Sequence, residues 1–251
     1  MTNIHRRLVG VGVGPGDPEL VTVKAVRLLA AADAILVPAT ERSEGTAGRA
    51  EQVVLAACPD AAARVVRVPF SMGDRSGVTD RRREAWEASA AAAVAAFAAG
   101  ADLVAFATVG DPSVYSTFSY LASEVTAALP DVAIEVVPGI TAMQALAAAS
   151  RTPLVEGTEV LALVPVTAGL DVLDAVVAVA DTVVAYKAGR RLPEVLERLE
   201  ASGRLAGTVV GTDVGLPGES IVAGRDAART GAPYFSTVLS APARATTGGR
   251  L

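Results

Sequence analysis

Cysteine, histidine and lysine are all nearly missing from this 251-residue chain. The one cysteine, Cys58, leaves no internal disulfide to form, which fits a cytoplasmic setting. The one histidine, His5, stands before the first apolar run and is not expected to be catalytic. Lys24 and Lys187 are the only lysines, so arginine carries almost all positive charge, a bias that base composition explains most simply, as it does the abundance of alanine. The formal net charge of −5 argues against a general nucleic-acid partner, which calls for a basic face. No apolar run is long enough to span a bilayer without meeting a charge, so no membrane partner is expected. The start, "MTNIHRRLVG", has no small-residue cleavage site, and no signal peptide is read.

What is present is apolar: 51% of the residues, in a chain long enough for one large domain or two small ones. Strand and helix patterns alternate through the first half. Strands are expected at "LVGVGV", "AILVPA", "RVVRVPF", "DLVAFATV" and "IEVVPG". Helices are expected at "DPELVTVKAVRLLAAAD" with Asp17 as cap, at "GRAEQVVLAA", at "TDRRREAWEASAAAAVAAFAAG" closed by Gly100, at "DPSVYSTFSYLASEVTAAL" and at "TAMQALAAAS". This order predicts an α/β fold with a largely parallel sheet. "RTPLVEGTE" breaks the alternation, which puts a domain boundary between residues 1–152 and 157–251. The second half carries strands at "VLALVPV", "TVVAYKA", "GTVVGTDV", "ESIVAG" and "PYFSTVLSA", with an antiparallel finish and a tail, 243–251, expected to be disordered.

Three loops leave strands through glycine: "GVGPGDP", "TVGDPS" and "VPGITA". The first fails the dinucleotide fingerprint, since the sixth position from Gly10 is Pro15 and from Gly12 is Asp17. A phosphate needs free N–H groups and positive potential at the helix start; Pro18 lacks the one and Asp17 opposes the other. All three loops lie at the carboxyl ends of predicted strands, where open α/β sheets bind ligands. Any one of them is an ordinary turn. Three together, with acidic exits, point to a neutral or cationic ligand.

"VGVGPGDPELVTVKAVRLLAAADAILVPA", "GDPSVYSTFSYL" and "VVPGITAMQAL", in that order and spacing, resemble the S-adenosylmethionine-dependent tetrapyrrole methylases over nearly the whole chain. The branch that methylates precorrin-2 at C20 fits best, on "ILVPA", on "VPFSMGDR" before the long helix with Trp86, and on Val109 where sister enzymes usually have glycine. The resemblance implies two α/β domains with the active site in the trough between them, unlike the Rossmann-like methyltransferase fold. It implies a homodimer, S-adenosyl-L-methionine as donor, a small-molecule tetrapyrrole as substrate and no metal. The implied reaction gives precorrin-3A on the way to cobalamin. A cobalt-bound substrate, another ring carbon, or a non-catalytic donor-binding module are the alternatives.

Carried onto this sequence, the resemblance implies cofactor contacts at Pro15, Gly110, Asp111, Val114, Tyr115, Thr141, Ala142, Tyr186, Lys187 and Gly215. Lys187 departs from the family, where several sisters have methionine. Asp111 is expected to accept hydrogen bonds from the donor's ribose or ammonium, or to cap its helix, or both. Substrate contacts are implied at Gly16, Tyr115, Thr117 and Arg81, the last within "RRR", where a charge run can equally be a solvated helix face. Helical spacing puts Tyr120 in the core. Asp17 is the polar group named for catalysis, with helix capping as its other reading.

Overall fold

A computed structural model describes residues 6–39, 46–70, 79–227, 231–233 and 235–244. His5, the "SMGDR" part of "VPFSMGDR" and the tail beyond Arg244 lie outside the described residues. By its internal contacts the chain divides into Met1–Thr141 and Ala142–Leu251.

The first unit holds a five-stranded parallel sheet of β1 (Arg7–Gly12), β2 (Ala34–Ala39), β3 (Val65–Pro69), β4 (Leu103–Thr108) and β5 (Ala133–Val137), in the order β3-β2-β4-β1-β5. All five strands expected from the sequence are present. β1 and β4 are central, and Leu8, Val9, Val11, Val104, Ala105 and Ala107 are fully buried. Burial on both faces is why these strands read as continuous apolar runs. Asp33, just before β2, pins the start of β4: its carboxylate accepts from the amides of Asp102 and Leu103, both at 2.9 Å.

Among the described residues of this unit there are four α-helices: α1 (Val23–Ala31), α2 (Arg49–Ala57), α3 (Asp80–Ala98) and α4 (Phe118–Ala128). Two begin later than their sequence suggests. Asp17 caps only the 3-10 turn Pro18–Leu20, while Thr22 caps α1 by accepting from the Ala25 amide at 3.2 Å. The residues after β4 do not enter a helix at Asp111. The Asp111 side chain captures the Ser113 amide at 2.7 Å, and Tyr115 takes a left-handed φ of 53°, so α4 starts at Phe118. A short polar side chain competing for nearby backbone amides is what turns such a segment away from helix. α3 ends as its sequence implies, with Gly100 at φ 101° and the Ala101 amide returning to the Ala96 carbonyl.

The second unit holds β6 (Leu161–Pro165), β7 (Thr182–Tyr186), β8 (Thr208–Thr212), β9 (Ser220–Ala223) and β10 (Ser236–Ser240), ordered β6-β7-β10-β8-β9. β6 and β7 are parallel; β10 runs antiparallel to both β7 and β8, and β9 antiparallel to β8. The antiparallel finish is present, with β10 inserted between β7 and β8. α6 (Leu170–Val179) and α7 (Leu192–Ala201) cover one face through Leu173, Val195, Leu196 and Leu199.

α5 (Ala142–Ser150) belongs to this second unit, which moves the division from the expected 152/157 to 141/142. The reason is packing: α5 lies on β10 and β9, and its buried Leu146 sits so close to Gly211 that a Cβ there would be 2.7 Å from Leu146 Cδ1. The expected disorder of the tail fails at its start. Arg244 is held by Glu159 and Glu156 and donates to the Pro153 carbonyl at 3.1 Å. The Glu159 side chain is only 2% exposed, so this pair fixes the exit of β10.

Candidate functional site

The three glycine loops of the first unit meet at the carboxyl ends of β1, β4 and β5. Gly14 and Gly110 form an isolated antiparallel bridge. Gly12 and Gly139 are packed so tightly that neither has room for a side chain. A Cβ on Gly12 would lie 2.6 Å from both the Gly110 oxygen and the Gly139 nitrogen; one on Gly139 would run into the Gly110 oxygen. Only glycine allows this approach.

Asp111 stitches the second loop to the third. One carboxylate oxygen accepts from the Ser113 amide and hydroxyl, and the other accepts from the Gly139 amide at 2.9 Å. The residue is nearly buried. Burial pushes its carboxyl up, but the hydrogen bonds from the Ser113 hydroxyl, the Gly139 amide and the Ser113 amide outweigh it, and the net shift is below the ordinary aspartate value. Asp111 is therefore not the cap of α4. The Asp-Pro-Ser order was the available signal, because aspartate commonly bonds the backbone two residues on. The link to Gly139 had no such signal.

The other residues expected from the first unit lie on these loops and their exits, except Arg81, which lies on α3. Pro15 and Gly16 are buried in the first loop, and Asp17 beside them is half-buried, its carboxylate accepting from the Glu19 amide at 2.8 Å. Val114 and Thr117 are half-buried, Tyr115 is exposed, and Thr141 is buried. Thr117 also lines a narrow crevice with Pro69, Phe70 and Trp86. Tyr120 is not in the core. It is 48% exposed and stacks on Trp86, ring centroids 4.3 Å apart. Arg81 lies exposed on the first turn of α3.

Ala142, Tyr186, Lys187 and Gly215 lie in the second unit. The Tyr186 hydroxyl accepts from the Met143 amide at 3.0 Å, tying the end of β7 to the start of α5. That N–H is one of the orphan donors of a helix N-terminus, and sequence reasoning had no means of pairing it. Lys187 has φ 58°, Asp213 φ 51° and Gly215 φ 80°; the Gly215 amide donates to Glu219 at 2.7 Å. Among the described residues, four non-glycines have positive φ: Tyr115, Arg151, Lys187 and Asp213. Three of these fall in the loops expected to hold the ligand, and strained backbone gathers at such places.

Residues 7–227 match the tetrapyrrole (corrin/porphyrin) methylases as a family. The chain belongs to that family. Within the tetrapyrrole methylases, it is 36% identical over 236 residues to a precorrin-2 C(20)-methyltransferase of a Sinorhizobium species, covering 93% of this chain and 94% of the relative. It is 28% identical to the cobalt-precorrin-2 C(20)-methyltransferase of Salmonella typhimurium, over 94% of this chain and 96% of the other. The solved uroporphyrin-III C-methyltransferase of Thermus thermophilus, in complex with S-adenosylhomocysteine, superposes with a TM-score of 0.62 at 25% identity, over 93% and 97% of the two chains. The two α/β domains expected from the sequence are thus those of the tetrapyrrole methylase fold. Among the described residues, no helix is long and apolar enough to cross a membrane.

Proposed function

We propose that this chain is an S-adenosylmethionine-dependent C-methyltransferase acting on C20 of precorrin-2, giving precorrin-3A in cobalamin biosynthesis. The match to the Sinorhizobium enzyme, 36% identical along nearly the whole of both chains, carries this reading. Metal-free precorrin-2 is preferred to its cobalt form because, among matches that cover more than nine-tenths of the chain, identity to the former's methylase is the higher, 36% against 28%.

The loop junction suits such a donor. Gly110 has φ 73°, and a Cβ built there would meet only the Thr141 Cα, at 3.9 Å, so its surroundings are open while Gly12 and Gly139 are closed. Backbone groups at Gly110 and Thr141 can face polar atoms of a ligand, and the negative Asp17 and the proline at 18 disfavour phosphate. We assign Pro15, Gly110, Val114, Tyr115 and Thr141 to the donor on the first unit, and Ala142, Tyr186, Lys187 and Gly215 on the second. Gly16, Thr117, Tyr115 and Arg81 are assigned to the tetrapyrrole, whose carboxylates an exposed guanidinium can grip.

The donor supplies an electrophilic methyl group on a sulfonium, and C20 is an electron-rich, enamine-like carbon. Little acid–base work is then asked of the chain. Its contribution is alignment, which in favourable cases is worth ~7–11 kcal/mol. A base has only to take up the proton released from C20 after transfer, and Asp17 is the carboxylate we assign to that end of the site. A homodimer in a reducing compartment completes the proposal; exposed Ile134 and Val136 on the edge strand β5 offer apolar surface for a second copy.

Incubation of the full chain with metal-free precorrin-2 and S-adenosylmethionine, followed by mass spectrometry and NMR, is expected to show one new methyl group at C20. A methyl at another carbon overturns the regiochemistry. Turnover of cobalt-precorrin-2 alone reassigns the substrate. Donor binding with no methylation of either overturns the enzyme.

A further inference from the structure

We propose that Asp111 is a positioning residue. It acts on the methyl donor only through the Gly139 peptide, which it holds against Gly110, while backbone groups hold the donor itself. This rests on the reading above that the three loops carry the donor site.

Asp111 has little left to offer a ligand. A carboxylate has about four lone-pair positions. Three are taken by donors of the chain itself: the Ser113 amide, the Ser113 hydroxyl and the Gly139 amide. Those donors already compensate the charge, which is why the carboxyl stays ionised despite burial.

The bond to Gly139 also works against a hard stop. Gly139 cannot come closer to the second loop, because even a Cβ on it would strike the Gly110 oxygen and lie 2.8 Å from the Gly12 Cα. It can only swing outward, and the Asp111 carboxylate prevents that. Thr141 follows two residues later and forms the wall facing Gly110. The carboxylate therefore sets the width of the gap between Gly110 and Thr141. Asp111→Asn turns an amide N–H₂ or a single carbonyl toward the same three donors, and at least one of them loses its acceptor.

The test uses the purified full chain and three probes: S-adenosylhomocysteine, 5′-methylthioadenosine, which lacks the amino-acid end, and 2′,3′-dideoxy-5′-methylthioadenosine, which lacks the ribose hydroxyls as well. Calorimetry at a temperature where both proteins are folded should show Asp111→Asn weakening all three probes by a common factor, about tenfold or more. In turnover, KM for the donor rises and KM for the tetrapyrrole does not. Hydrogen exchange gives a readout on the wild-type chain alone: the Gly139 amide exchanges slowly without ligand, and adding S-adenosylhomocysteine leaves its protection little changed.

Loss confined to S-adenosylhomocysteine means direct contact with the ammonium group and overturns the proposal. Loss for the two probes with ribose hydroxyls but not for the dideoxy probe means direct contact with the ribose and overturns it too. So does wild-type affinity in the variant, or a Gly139 amide that exchanges freely until ligand binds. If the wild-type chain binds none of the probes, the donor-site reading itself fails, and the inference falls with it.

Discussion

Gly14 and Gly110 exchange both of their backbone hydrogen bonds, the Gly110 amide donating to the Gly14 carbonyl at 2.7 Å and the Gly14 amide returning the bond at 3.4 Å. Two loops that follow different strands are thereby joined as if they were one more rung of a sheet. Gly12 and Gly139 close in behind this bridge. At these four glycines the contact is made by backbone, so tolerance of substitution there depends on space and φ rather than on side-chain chemistry.

Gly12→Ala and Gly110→Ala separate these two effects. At Gly12 the added methyl would sit 2.6 Å from two backbone atoms that cannot rotate away, so a loss of about 1–3 kcal/mol of stability is expected from overpacking. At Gly110 the space is open but φ is 73°, and the conformational cost is about 1–2 kcal/mol. Urea unfolding should rank Gly12→Ala the worse, with weaker S-adenosylhomocysteine binding as well. The reverse ranking would contradict the packing described for the junction.

Tyr186→Phe removes the acceptor of the Met143 amide and leaves the ring in place. A stability loss of about 1 kcal/mol is expected, together with faster hydrogen exchange at the first turn of α5. Exchange there that matches wild type would mean the hydroxyl does not hold the helix start.

Asp33 predicts a pH dependence. Hydrogen bonds from the Leu103 and Asp102 amides hold its carboxyl below the usual aspartate value. The folded chain then binds fewer protons than the unfolded one between the two pKa values, so stability rises with pH across that window. The contribution is complete above the unfolded value, about pH 4, and is lost as pH falls through the lower folded one. Asp33→Asn should unfold earlier than wild type by a constant margin at neutral pH, and the margin should shrink below about pH 4. A margin independent of pH down to the acid transition would show that the charge contributes nothing.

Arg244→Ala removes the guanidinium that the Glu159 side chain, almost without solvent, is paired with. Removing one partner of a buried pair is costly, and ~2–3 kcal/mol is expected from denaturant unfolding, less if Glu159 is changed to Gln in the same chain. Equal stability of the single and double variants would mean that the pair does not anchor the end of β10.

Much of the fold is legible in the residues themselves. β1 and β4 are buried on both faces, so their apolar runs are unbroken. Thr79 and Gly100 bracket α3 with standard cap chemistry, and the Gly-Asp-Pro order marks the loops. The misreadings share one cause: a local pattern was extended across a place where a side chain bonds out of pattern. Asp111 takes the Ser113 amide, so the helix expected at 111 begins at Phe118, and the stripe it buries is Phe118, Leu121 and Val125, which leaves Tyr120 on the other face. Asp17 closes a turn, and Thr22 starts the helix in its place. Arg244 has a partner 85 residues away in sequence, which composition of a tail does not reveal.

The sequence by itself determined the family, the strands of the described residues and the loops that end them, because short-range periodicity and turn chemistry depend on near neighbours. The tertiary structure decided which of those loops touch, that β10 lies between β7 and β8, that α5 packs with the second sheet, and that Asp111 spends its carboxylate on Gly139. Each of these depends on contacts between residues remote in the chain, and no local pattern encodes them.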